Sequence, residues 1–139
     1  MISFESDHSI FIEAGFEVND TICAPATAPG GALGIIRISG PVAFSAVSSI
    51  STLCCTNVAA NTIHYAHITS PAREGQGELI DEVMVSAFRA PHSYTGEDSV
   101  EISCHGSTYI INRILELLVQ NGCRMANPGE FTQRAFLNG

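Results

Sequence analysis

Lysine is absent from this chain of 139 residues; all six of its basic residues are arginine. That absence excludes, within these residues, both a Schiff-base amine and the ammonium of a phosphate-binding loop. Positive charge of any kind is scarce. Fourteen acidic residues oppose the six arginines, for a net charge of −8 at pH 7. Such a chain repels a phosphate backbone and lacks the basic footprint of a nucleic-acid binder. Long apolar runs are missing as well: none approaches the ~20 residues needed to cross a bilayer. The N-terminus has no basic start followed by an apolar block, so no secretory leader is expected. Five cysteines are present, Cys23, Cys54, Cys55, Cys104 and Cys123, but no C-x-x-C. An odd number with one adjacent pair argues against a disulfide framework and a zinc ribbon, so reduced, mostly buried thiols are expected. With 45% hydrophobic and 14% charged residues, the composition is that of one soluble, cytoplasmic globular domain.

Residues 1–18 stand apart. They carry four acidic residues and no arginine, and they read as an N-terminal arm rather than an edge strand. From residue 19 the punctuation sharpens. DTICAPAT suggests a short strand and Pro29-Gly30-Gly31 a turn. In GIIRIS, Ile36 and Ile38 share one face, while Ile35, Arg37 and Ser39 share the other. A helix is expected next, capped at Ser39-Gly40 with Pro41 in its first turn and Ala43, Val47, Ile50 and Cys54 along one stripe. Residues 64–70 and 79–90 read as two strands joined by the Gly-containing loop SPAREGQGE. The second is apolar on both faces and so is expected centrally in the sheet. SVEISCH alternates cleanly, with Val100, Ile102 and Cys104 opposite Glu101, Ser103 and His105. A second helix follows, capped by Ser107 or Thr108. Its apolar stripe is Ile110, Ile111, Ile114, Leu115 and Leu118, and it ends at Asn121-Gly122. A strand-like piece, a Pro128-Gly129 turn and the first turns of a further helix complete the chain, which ends at Gly139 as though cut from something longer.

The densest chemistry lies in SYTGEDSVEISCHGS, Ser93 to Ser107. One histidine among scattered carboxylates does not supply the four fixed ligands of a closed zinc site. Cys104 and His105 are adjacent, so on a strand their side chains diverge and share no proton. The GGALG turn matches neither phosphate-binding glycine pattern. Thr95 or Glu97 is expected to serve the backbone of its own loop. Glu101 is left as either a solvated strand carboxylate or one wall of a pocket.

Three blocks in order, DTICAPATAPGGALGIIRISGP, APHSYTGEDSVEISCHGS and CRMANPGEFTQRAFLNG, resemble the N-terminal domain family of the tRNA modification GTPases MnmE/TrmE, over about residues 19–139. The resemblance implies an α+β domain with a mixed or antiparallel sheet and two main helices. That domain is similar to the folate-binding domain of glycine-cleavage aminomethyltransferases. It implies a 5-formyl-tetrahydrofolate-type ligand contacted by Arg37 and Glu101, and a homodimer. The resemblance further implies a longer parent protein that uses GTP, Mg2+ and K+. Together with the FAD-dependent partner MnmG, that parent modifies wobble uridines, and it meets tRNA mainly through other domains. A third, basic contact would follow Gly139, and a fourth lies farther downstream. A free-standing aminomethyl-transferring domain and a ligand-free dimerisation module are the alternatives. The residue types suit a pterin: one carboxylate accepts from its paired N–H edge, and a guanidinium donates to a carbonyl or carboxylate. Ile35, Tyr94 and Tyr109 are the expected apolar walls.

Overall fold

The computed structural model describes residues 20–71 and 77–139. The arm expected at residues 1–18 and the centre of the SPAREGQGE loop lie outside the described residues. Among the described residues six strands form one mixed sheet: β1 (Thr21–Pro25), β2 (Leu33–Ser39), β3 (Thr62–Thr69), β4 (Leu79–Phe88), β5 (Ser99–His105) and β6 (Cys123–Met125). Their spatial order is β3-β4-β5-β2-β1-β6. Every pairing is antiparallel except β1 with β6. Among the described residues three α-helices accompany them: α1 (Ala43–Ile50), α2 (Thr108–Gln120) and α3 (Glu130–Leu137). This is the α+β arrangement that the resemblance implies: α1 and α2 are the two main helices, and α3 is the further helix expected after the Pro128-Gly129 turn.

The sheet has a closed face and an open one. Ile36, Ile38, Val85, Val100, Ile102 and Cys104 point to the closed face and are buried, as the alternation of β2 and β5 requires. Over them pack Phe44, Val47 and Ile50 of α1 and Ile114, Leu117 and Leu118 of α2, forming a single core cluster. The other face of β4 exposes Met84. So β4 is central in its pairing but covered on one side only, and its apolar second face is not a sign of burial.

Local chemistry sets the helix ends. Ser107 caps α2, its hydroxyl accepting from the Ile110 N–H at 3.4 Å. The expected cap of α1 differs. Ser39 closes β2 and is buried, and the Val42 N–H donates to the Thr21 hydroxyl instead. α1 also stops at Ile50, short of Cys54. The Ser48 hydroxyl bonds the Phe44 carbonyl while accepting from the Cys55 N–H, which folds the chain back under the helix. Cys55 is thereby buried and Cys54 exposed. The Pro29-Gly30-Gly31 turn lies tight against β5: a Cβ on Gly106 would sit 1.8 Å from the Gly31 carbonyl oxygen, so only glycine fits.

Candidate functional site

Arg37 and Glu101 are direct cross-strand partners in the β2–β5 ladder. Both project from the open face, where the partners of a pair stand side by side. Arg37 Nη2 lies 3.8 Å from Glu101 Oε2, with the two side chains about one quarter exposed (26% and 25%). That separation is an ion pair but too long for a hydrogen bond. The polar edges of both groups therefore remain available to a third group lying between them.

A hollow of about 220 Å3 opens beside the pair, lined by Arg37, Phe88, Tyr94, Ser99 and Glu101. Phe88 and Ser99 are themselves cross-strand partners, two residues along the ladder from the Ser86–Glu101 pair. The Tyr94 ring lies under the Arg37 guanidinium, 4.9 Å from its carbon to the ring centre, and Phe131 of α3 lies 5.6 Å away. Both are within cation–π range. Of the expected apolar walls, Tyr94 lines the hollow. Ile35 shares the face but does not line it. Tyr109 belongs to α2, which packs on the closed face, so it cannot reach the open side. Ser99 was legible as a face-mate of Glu101 by strand alternation, whereas Phe88 reaches the same face only through the β4–β5 register. Phe131 carried no local signal, because nothing near it in sequence tells which strand its helix will meet.

The loop before β5 is anchored by charge. Thr95 is fully buried, its hydroxyl 2.6 Å from that of Ser39, and it accepts from the Glu97 N–H. Thr95 thus serves the loop backbone as expected, whereas Glu97 does not. The Glu97 carboxylate accepts from the Ser39 hydroxyl at 2.9 Å and from Arg134 at 3.2 Å. Arg134, 2% exposed, also pairs with Asp20 and with Glu130. Arg124 bridges the same two carboxylates from β6. Burial works against charge on Asp20 and Glu130. Hydrogen bonds from Arg124 to both, and from Arg134 to Asp20, outweigh it and hold both carboxyls below their ordinary range.

The remaining chemistry of the dense stretch is structural. Cys104 sits in the core, where burial pushes its thiol up to about 11, so it is protonated at neutral pH. His105 donates its backbone N–H to buried Asp81 at 2.9 Å, and its Nδ1 lies 2.8 Å from the same carboxylate. Among the described residues no group of three His, Cys, Asp or Glu side chains gathers closely enough to hold a metal ion. A larger hollow of about 460 Å3 lies elsewhere, between α2 and β6. It is lined by Leu115, Val119 and Met125 among others. Its walls bring together no opposed charges, so the smaller hollow is the better candidate despite its size.

The site is thus a strand-borne carboxylate and guanidinium flanking a small, ring-lined hollow. A family model described as GTP-binding protein TrmE N-terminus matches residues 21–139, and the chain belongs to that family. A tRNA modification GTPase MnmE of Bacteroides thetaiotaomicron is 57% identical over 120 residues, covering 86% of this chain and 26% of its own length. Another of the same name from Cytophaga hutchinsonii is 51% identical over 121 residues, 86% of this chain and 25% of its own. A third, from Lacticaseibacillus paracasei, is 50% identical over 130 residues, 92% and 28%. The chain spans about a quarter of the length of these curated relatives. No helix among the described residues is long and apolar enough to cross a membrane.

Proposed function

We propose that this chain is the folate-binding and dimerisation domain of a cytoplasmic tRNA modification GTPase. Its ligand is a reduced folate of the 5-formyl-tetrahydrofolate type, with Glu101 accepting from the paired N–H edge of the pterin. Arg37 donates to a carbonyl or carboxylate oxygen of the same ligand. The observation that carries the reading is the in-register Arg37–Glu101 pair, held at 3.8 Å beside a ring-lined hollow. A buried charge-assisted bond of this kind contributes about 1.5–3 kcal/mol. At about 220 Å3, the hollow is smaller than the roughly 300–1,000 Å3 of whole-ligand pockets. It suits the bicyclic ring alone, with the ligand's tail lying out over the open face.

The same face supports a homodimer. Ile63, Tyr65 and Met84 are exposed on neighbouring strands β3 and β4, an apolar patch that a second copy would cover. The parent protein would hydrolyse GTP with Mg2+ and K+, act with the FAD-dependent MnmG on wobble uridines, and hold tRNA mainly through other domains. The net charge of −8 supports assigning tRNA contact to those other parts.

Thermal unfolding with 5-formyl-tetrahydrofolate tests the ligand. At a concentration 100 times Kd the expected stabilisation is about 2.7 kcal/mol. Glu101→Ala should abolish the shift while leaving unliganded unfolding in place. A wild-type chain that neither shifts nor gives binding heat at millimolar folate would refute the reading. Sedimentation velocity tests the dimer, and a monomer at high protein concentration would remove it.

A further inference from the structure

The two rings around Arg37 come from separate parts of the chain. Tyr94 stands in the loop between β4 and β5, whereas Phe131 lies in the first turn of α3. A series of contacts joins their carriers. The Tyr94 and Thr132 hydroxyls are 3.0 Å apart. Asn138 Nδ2 donates to the Thr95 carbonyl at 3.0 Å and to that of Arg134 at 2.9 Å. Gly96, at φ +81°, leaves room for Asn138: a Cβ there would meet the Asn138 Cβ at 2.7 Å. At the centre is Arg134, buried to 2% exposure, whose guanidinium reaches both oxygens of Glu97 in the loop. It also reaches Glu130 in its own helix and the Asp20 carbonyl at the start of β1.

We propose that Arg134 is a positioning residue for the ligand site, locking the 93–98 loop and α3 into one clamp whose two rings set the plane of Arg37. The ligand's identity rests on the folate reading; the clamp does not. A guanidinium confined by aromatic faces offers its N–H groups at its edge, in its own plane. Arg37 held this way favours an oxygen coplanar with it, such as a ring carbonyl, over a charge approaching from above. The cost of ordering a long arginine side chain is met on folding rather than on binding, which is the usual gain from preorganisation.

Two measurements on the whole 139-residue chain test this. The first is the Arg37 Nε–H resonance in the ligand-free protein, assigned by its loss in Arg37→Lys. The neighbouring rings should displace it from the free-arginine position. The displacement should persist in Glu101→Gln and shrink in Tyr94→Leu, in Arg134→Lys and in the double variant Thr132→Val, Asn138→Ala. Thr132 and Asn138 are exposed, so the double variant decides the matter if Arg134→Lys does not fold. The second is the affinity for 5-formyl-tetrahydrofolate by calorimetry. The clamp variants should bind about tenfold more weakly, the size of one partly desolvated cation–π contact. An Arg37 resonance and an affinity both unchanged in the folded clamp variants would overturn the proposal. Absence of binding by the unmodified chain would remove the folate reading, and the Arg37 resonance would still decide for or against the clamp.

Discussion

The two faces of the sheet are built from the same strands and do opposite things. On one, Ile36, Ile38, Val100 and Ile102 vanish beneath α1 and α2. On the other, one residue along, Arg37, Ser39, Ser99 and Glu101 stand in the same ladder under little more than a loop and a short helix. The closed face obtains its stability from apolar area removed from water. The open face cannot, and depends on paired charges and hydroxyls to hold its cover. The lesson is a division of labour at a spacing of one residue. The face that stabilises the domain carries no exposed chemistry, and the face with chemistry is anchored from its rim by Arg134.

That contrast makes its strongest prediction on the closed face. Ile102→Ala should lower unfolding free energy by about 2–5 kcal/mol in urea titrations, because a fully buried side chain leaves a cavity. A loss as small as a surface change would mean that the faces are not distinct. Next comes the rim. Asp20 and Glu130 titrate below their ordinary values of 3.8 and 4.5 in the folded chain. Lowered folded values mean stability that is complete above about pH 4.5 and is lost as pH falls through them. The urea midpoint should therefore drop as pH falls below about 4.5, and do so less in Asp20→Asn, whose own starting stability is lower. Smaller again is the Arg37–Glu101 pair. A double-mutant cycle on unliganded stability should return a coupling of about 0.2–1 kcal/mol, as for other partly exposed pairs. A coupling well above that would make the pair a stability device rather than a site. Smallest is Met84→Ser on the open face, expected within about 0.5 kcal/mol for the monomer. In the proposed dimer the same change should raise the dissociation constant, and sedimentation measures that separately.

Much of the fold was readable along the chain. The alternation in GIIRIS and SVEISCH assigned faces correctly, and the stripe of α2 followed from spacing, which left its cap between Ser107 and Thr108 for the structure to decide. What misled was local ambiguity. The seryl run that ends α1 at Ile50 looks like helix continuation, since serine hydroxyls bond helix carbonyls and loop amides equally well. Met84 and Phe88 looked like burial on a second face, though an apolar side chain on an open face is ordinary. Tyr109 is no wall of the hollow, and nothing along the chain says so, because packing alone sets the side of the sheet on which its helix lies. Neither Glu97, in its loop, nor Arg134, in its helix, carries a local signal of a partner. Their partnership joins segments that are remote in sequence.

The sequence alone decided which residues of each strand share a face and which of them are polar. Those follow from the fixed repeats of 2.0 and about 3.6 residues that backbone geometry imposes on any strand or helix. Only tertiary structure decided that β2 lies beside β5 in the register that sets Arg37 against Glu101. It also decided that α3 folds back to lay Phe131 beside that arginine. Strand order and register are chosen by burial summed over the whole sheet, and no short stretch of chain holds that sum.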